Sequence, residues 1–349
     1  MFFPKFTITN TILGLIGKIE ASREIIENAP LVPAYEAKFR QEAIIRTVHH
    51  GTHIEGNPLD TGEVAAVLEG EEIDARDRDV QEILNYRKVL SYIDGKKKEV
   101  NEKDLLAIHK LTVEKLLRNE ASGKYRKTQV VVKNSKTKEI SFKPPEAGDV
   151  PILSKEFFVW LNSQESESVH PVLVAGITHY VLAFIHPFVD GNGRAARALA
   201  TMVLFQRDYD VKKFFSIEEY FDRNAPRYYK TLQSVSNQKV ESLSERDLTP
   251  WLEYFCEGMA EELNRVKEKV KKLSLDVKLK GKTGQIALSE RQLKMVEFIE
   301  TYGSISNKQW RSLLRDYSDD TILRDLKDLQ KKGLIKKKGS TKGAVYTLK

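Results

Sequence analysis

The sequence predicts a mainly α-helical protein with one β-hairpin near its middle and a small, separate α/β unit at its C-terminal end. Three observations carry that expectation. Apolar residues recur at helical spacing through most of residues 8 to 275. Alternation typical of strands takes over only around residues 128 to 142. A basic, glycine-containing stretch at 278–286 then sets residues 287–349 apart as a unit with its own turn signals.

Taken in order, residues 8 to 29 form the first expected helix, with Ile12, Leu13, Leu15, Ile16, Ile19, Ile25 and Ile26 behind the capping-type Thr9 and Asn10. Pro30 and Pro33 break it. A second helix is expected from about Tyr35 to His50 on Phe39, Ala43, Ile44 and Val48, with Gly51 interrupting it. His49, His50, His53 and Glu55 crowd together there, but nothing nearby completes a metal shell. Further helices are expected at 61–68, 80–93 and 103–117. Thr128 to Val132 and Ile140 to Phe142, joined through Asn134-Ser135-Lys136, read as the hairpin. Helices at 152–161 and 171–185 follow; the second is nearly all apolar, so it is the expected buried centre, with His179 as a packed core residue. Ala195 to Gln206 is the second central helix. Ser216 opens another stretch through Tyr228 and Tyr229, and Asp247-Leu-Thr-Pro caps a helix to about Leu275. In the C-terminal unit, helices are expected at 289–300, 306–315 and 319–332, then a two-stranded ribbon from Gly333 onward.

The densest chemistry lies between the two central helices. His186 to Arg197 reads His-Pro-Phe-Val-Asp-Gly-Asn-Gly-Arg-Ala-Ala-Arg. His186 is an imidazole that can take a proton near neutral pH. Asp190 is the kind of hard carboxylate that holds Mg²⁺ together with substrate phosphates. Gly191-Asn192-Gly193 leads into a helix whose first amides point at an anion. Arg194 and Arg197, three apart, share a face and can grip phosphate oxygens. A proton acceptor beside a phosphate cradle describes a nucleotide site.

That run matches the signature His-x-Phe-x-(Asp/Glu)-Gly-Asn-Gly-Arg-x-x-Arg at every fixed position, so the chain resembles the Fic family over about residues 1–260. The resemblance implies a protein adenylyltransferase that moves AMP from ATP to a Ser, Thr or Tyr hydroxyl of a target protein, and of itself. It implies a Fic helical core with a β-hairpin flap behind an N-terminal helical region. His186 would be the general base, Asp190 the Mg²⁺ or Mn²⁺ ligand, and Gly191, Asn192 and Gly193 the anion hole. Arg194 and Arg197 would bind the β- and γ-phosphates, and Gly193 favours AMP over other transferred groups. Tyr228 and Tyr229 would border the adenine and ribose, with Ser236 and Asn237 near the place of a ribose-contacting Asn. Thr52-His-Ile-Glu55-Gly-Asn resembles the family's inhibitory motif, (Ser/Thr)-x-x-x-Glu-(Gly/Asn), with Gly51 standing four residues before the glutamate. Glu55 would pair with Arg197 and block seating of the γ-phosphate. The flap, about 128–143, would align the target by strand addition.

Residues 287–349 resemble a winged helix-turn-helix domain, with Ser318 before the third helix and lysines 336, 337, 338 and 342 on the wing. Asp319, Asp320, Asp325 and Asp328 on the third helix oppose phosphate, so DNA contact would rest on the wing, and protein contact is the competing use. The resulting division is an N-terminal region 1–95, a catalytic core 96–277, a linker 278–286 and the winged unit 287–349. Alternatives to AMP transfer are a DNA-binding transcriptional regulator with a nucleotide-sensing Fic domain, and an enzyme that removes AMP. A homodimer is left open.

The charge pattern suits a C-terminal anionic partner. The chain carries 57 Lys and Arg against 50 Asp and Glu, yet residues 264–349 hold 22 against 10. Cys256 is the only cysteine, which excludes an internal disulfide, and its apolar surroundings mark it as a core residue. No stretch approaches the roughly 18 apolar residues of a membrane span. The N-terminal Met-Phe-Phe-Pro-Lys lacks the pattern of a signal peptide, so the cytoplasm is the expected location.

Overall fold

A computed structural model of the chain describes all residues except 1, 30, 32, 97–98, 134–139, 281–287, 303, 316, 340–343 and 349. The described residues group into two compact units, Met1–Asn28 with Glu36–Glu268, and Ala29–Tyr35 with Lys269–Lys349.

The first unit is built on two helices that the sequence makes apolar almost all round. Counting from the N-terminus, its elements are α1 (Asn10–Glu27), α2 (Pro33–His53), α3 (Thr61–Glu69), α4 (Asp77–Gly95) and α5 (Glu102–Thr112). After these come β1 (Val132–Lys133), β2 (Ile140–Phe142), α6 (Val150–Leu161), α7 (Gln164–Ser168), α8 (Pro171–Ile185) and α9 (Asn192–Gln206). The last are α10 (Ile217–Arg223), α11 (Ala225–Ser236) and α12 (Thr249–Lys280), of which residues 269–280 of α12, like residues 33–35 of α2, fall in the second unit. In α8 every residue but Pro171 and Ala183 is buried, and in α9 so is every residue from Arg194 to Leu204. These two pack against each other as the central hairpin, with α4 and α5 on α9 and α6 on α8. The indole of Trp251 on α12 donates to the Gly176 carbonyl at 2.7 Å. His179 is buried, stacked on Trp251, and pushed down to about 3 by that burial. Cys256 is likewise buried.

Three departures from the sequence expectation bear on the site. First, α2 does not stop at Gly51 but runs on to His53. Glycine is needed there for close packing rather than for a break, because a Cβ at Gly51 would overlap the Tyr86 ring. Second, α5 ends at Thr112 instead of continuing to Leu117. The Asn85 side chain on α4 donates to the carbonyls of Thr112 and Glu114 at 3.2 and 2.8 Å, so the chain turns away with its C-terminal carbonyls satisfied. Third, the first hairpin strand is shorter than expected and the second is as expected at Ile140–Phe142: Val132 pairs with Phe142 and Lys133 with Ile140, while residues 128–131 form no ladder. The expected turn at Asn134-Ser135-Lys136 lies outside the described residues.

Helix α2 is held by charge as well as by packing. Arg46 donates to Glu219 at 2.8 Å, to the fully buried Glu262 at 2.7 Å and to the Phe214 carbonyl at 2.9 Å. Arg265 binds the same two carboxylates from α12. Burial alone would raise the Glu219 carboxyl, but the two arginines bring it down to about 2.

The second unit contains α13 (Glu290–Tyr302), β3 (Ile305–Ser306), α14 (Asn307–Leu313), α15 (Asp319–Lys331), β4 (Ile335–Lys338) and β5 (Val345–Leu348). Its sheet has three antiparallel strands in the order β3-β5-β4, against the two expected. The extra strand is only two residues long, too short to show a period, and is fixed by the fully buried Ile305 opposite Tyr346. Ile322, Leu326 and Leu329 bury one face of α15 against Met295, Ile299 and Trp310, and Ser318 caps its N-terminus.

Candidate functional site

Where α8 ends, the backbone turns into the loop that joins it to α9. His186 is the C-cap of α8 in the left-handed region, φ 50° and ψ 60°. A non-glycine residue there costs on the order of 1–3 kcal/mol and has to be held. Arg126 does much of the holding. Its Nε donates to the His186 carbonyl at 2.9 Å, and its own backbone N–H donates to the Pro187 carbonyl at 2.9 Å. The same guanidinium reaches the carbonyls of Thr128 and Pro145, so one buried side chain ties the histidine loop to both ends of the hairpin. The His186 ring sits with Nδ1 3.4 Å from the Ala183 carbonyl. A carbonyl only accepts, so that contact places the proton on Nδ1 and leaves the Nε2 lone pair free. Burial lowers the imidazole below its ordinary value, against the opposing pull of the Ala183 carbonyl and Glu55, which keeps the ring neutral over a wider range.

The loop then closes on itself. Asn192 spends its side chain on Phe188, accepting from that N–H at 2.8 Å and donating to that carbonyl at 2.9 Å. Gly191, the N-cap of α9, takes φ 77°, and no side chain caps the helix. The first amides of a 15-residue helix are therefore left for an anion. Asp190 accepts from the Gly191 N–H at 2.6 Å, and its other oxygen lies 3.8 Å from Arg78. Arg194 is buried, with Nη1 3.6 Å from Glu82, and its Nε and Nη1 make no hydrogen bond of normal geometry. Two donors held out of water without an acceptor are expensive unless a ligand satisfies them.

Arg197, 1% exposed, is the deepest charge of the site. Its Nη2 donates to Glu55 Oε1 at 2.8 Å and to the Gly51 carbonyl at 2.8 Å, while Nε and Nη1 find no such partner. Burial works against its charge more than any single neighbour favours it, but Glu55 together with Tyr228, Tyr86 and Tyr229 keeps it well above its usual value. The Glu55 carboxylate lies directly over Gly193, where a Cβ would overlap Oε1. Glu55 thus occupies the space that the amides of α9 face. The turn that carries it is fixed by Tyr229, whose hydroxyl donates to the Ile54 carbonyl at 3.2 Å, and by Asn57, whose side chain donates to Glu82 at 3.1 Å.

The structure therefore brings together His186, Asp190, Gly191, Asn192, Gly193, Arg194, Arg197, Glu55 and Tyr229. Tyr228 is 2% exposed and hydrogen-bonded to His179 at 3.0 Å, and it interacts electrostatically with Arg197 and Glu55. Ser236 and Asn237 line a cavity of ≈ 750 Å³ beside β2, with Phe142, Phe184 and Arg246. His50 and His53 both bond the Asp222 carboxylate at 2.8 to 2.9 Å, and among the described residues no group of three or more His, Cys, Asp or Glu can hold a metal. Sequence reasoning passed over Arg126, Glu82, Tyr86 and His109, whose parts depend on contacts remote in the chain. A buried-class position filled by Arg or His was the available signal.

A helical core with this loop at the mouth of its central hairpin defines a class. Residues 99–204 match the family model of the Fic/DOC family. More particularly, the chain is 35% identical over 179 residues to protein adenylyltransferase Fic of Drosophila grimshawi, covering 49% of this chain and 35% of that one. It is 32% identical over 202 residues to protein adenylyltransferase Fic of Culex quinquefasciatus, covering 55% and 38%. The chain thus spans little more than a third of the length of these curated relatives. In fold it is similar to a Fic family protein from Desulfovibrio desulfuricans G20, with a TM-score of 0.72 at 24% identity over 100% of this chain and 98% of that one. Fic-1 of C. elegans follows with a TM-score of 0.60 at 21% identity, covering 75% and 74%. No helix among the described residues is long and apolar enough to cross a membrane.

Proposed function

We propose that this chain is a self-inhibited protein adenylyltransferase. The observation that carries the reading is the pair of buried, under-bonded arginines, Arg194 and Arg197, beside uncapped amides and a neutral histidine. That set binds a polyphosphate and accepts a proton next to it. The relatives named protein adenylyltransferase Fic support the same chemistry.

In this reading the arginines hold the β- and γ-phosphates and the α9 amides hold the α-phosphate region. The cavity beside β2 is the candidate seat of the nucleoside, and a target segment lies along the flap at 128–143. Nε2 of His186 takes the proton from a Ser, Thr or Tyr hydroxyl. The freed oxygen bonds to the α-phosphorus, the bond to the β-phosphate oxygen breaks, and pyrophosphate leaves. Asp190 fits a divalent ion in one respect: it is a half-exposed single carboxylate, the donor set that Mg²⁺ or Mn²⁺ uses when phosphates and water supply the rest. Such an ion, when bound, neutralises phosphate charge. Glu55, seated over Gly193 on Arg197, keeps the γ-phosphate from that arginine. The chain would then divide into a region carrying the lock (1–95), the core (96–277), a linker (278–286) and a winged helix-turn-helix unit (287–349).

Incubation with α-labelled ATP and Mg²⁺ tests the chemistry. Protein label is expected in Glu55→Gly and absent in Glu55→Gly combined with His186→Ala; equally strong label in both refutes His186 as the base.

A second reading concerns residues 287–349. Three of the four acids on α15 are already occupied: Asp319 by Arg311, Asp325 by Arg291 and Asp328 by Lys332. Lys336, Lys337 and Lys338 stand exposed on β4. That arrangement lowers the repulsion between α15 and phosphate and favours DNA contact; Lys342 lies outside the described residues. A mobility shift that weakens steeply with salt is expected, and absence of any shift at low salt would leave protein contact as the use of this unit.

A further inference from the structure

We propose that His109 is a positioning residue for the site: its ring, protonated on Nε2, clamps the Asp190 carbonyl and thereby aims the Asp190 carboxylate. The inference rests on the reading of Asp190 as the metal-holding residue, and it concerns a side chain outside the His186–Arg197 run.

His109 comes from α5 and is fully buried. The Gly123 backbone N–H donates to its Nδ1 at 3.0 Å. A backbone amide only donates, so Nδ1 carries no proton and Nε2 does. Nε2 lies 3.0 Å from the Asp190 carbonyl, which only accepts. The two contacts therefore require one another: the Gly123 bond selects the tautomer that can hold Asp190. The face of the same ring stacks on Phe188, with centroids 3.6 Å apart and planes 1° apart. One imidazole thus holds two loop residues, 188 by its face and 190 by its edge.

The residue after the clamp is fitted to the same surface. Gly191 takes φ 77°, and a Cβ there would lie 3.0 Å from Val113 and 3.6 Å from the His109 ring. With the carbonyl of Asp190 fixed and its Oδ1 on the Gly191 N–H, the outer oxygen of the carboxylate is directed by the backbone rather than by free rotation. An apolar residue would fill the position at lower desolvation cost, so the imidazole is needed for its two opposed hydrogen bonds.

The two bonds can be separated by amides. His109→Asn places an oxygen near Nδ1 and retains the acceptor for Gly123. His109→Gln places an N–H near Nε2 and retains the donor for Asp190. Full-length variants in a Glu55→Gly background are titrated by calorimetry with the α,β-methylene analogue of ATP, with and without Mn²⁺, and melted in parallel. The expected result is that Gln keeps the Mn²⁺-dependent gain in affinity. Asn loses about 10–100-fold of it, as outer-shell partners of metal ligands do, with metal-free affinity unchanged. Equal gain in Asn and the parent overturns the inference, as does a loss in Gln equal to that in Asn or a loss that merely follows a lowered melting temperature. If the Glu55→Gly parent itself shows no Mn²⁺-dependent gain, the assignment of Asp190 falls instead.

Discussion

In the proposed function His186 is the base, a buried imidazole beside two cations that are short of acceptors, and its environment makes a directional statement about pH. Burial lowers its pKa from 6.5, while Glu55 pulls it partly back up. A base works when unprotonated, so the rate should rise with pH through a midpoint below 6.5 and then level off. Removing Glu55 removes an upward pull, so the acid limb of kcat/KM in Glu55→Gly should lie at lower pH than in wild type. A limb that moves upward, or sits above 6.5 in both, contradicts this picture of the ring. At this scale the contiguous run from His186 to Arg197 was legible in the sequence, because chemistry packed into twelve residues needs no fold to assemble it. Arg126 and His109 were not legible, because each acts on carbonyls some 60 to 80 positions away. The place of Tyr228 in the core, bonded to His179, was hidden for the same reason.

At the scale of elements, α2 is the device that presents Glu55. Its apolar period was readable, but its end was not: glycine reads as a break until the Tyr86 ring across from it is known. The Gly51 carbonyl also accepts from Arg197, so the end of the helix and the Glu55 carboxylate share one guanidinium. Gly51→Ala should push the helix off Tyr86 and destabilise the protein by about 1–3 kcal/mol, as overpacking does. It should also raise AMP transfer severalfold by displacing Glu55. Melting and labelling are measured on the same sample; a destabilised variant with unchanged labelling would separate the helix end from the lock. Similarly, the two-residue strand β3 carries too little pattern to be read ahead of the partner strand that defines it.

At the scale of the whole molecule, the order of the central helices followed from periodicity alone, while the second compact unit begins at Lys269 and takes in Ala29–Tyr35, against an expected start at 287. The third strand of that unit did not follow from periodicity, nor did the internal pairing of the acids on α15. What unites the first unit is that Arg78 of α4, His109 of α5 and Arg126 ahead of the hairpin reach the loop between α8 and α9, while the Gly51 carbonyl of α2 reaches Arg197 on α9. The central claim is that this loop transfers AMP and that Glu55 holds it back. It is tested most directly by intact mass of the purified chain after incubation with ATP and Mg²⁺, comparing wild type, Glu55→Gly, and Glu55→Gly combined with His186→Ala. A single-AMP adduct that is scarce in the first, abundant in the second and absent in the third is the expected result. An adduct equally abundant in the first two would remove Glu55 as a lock, and an adduct surviving in the third would contradict the mechanism itself.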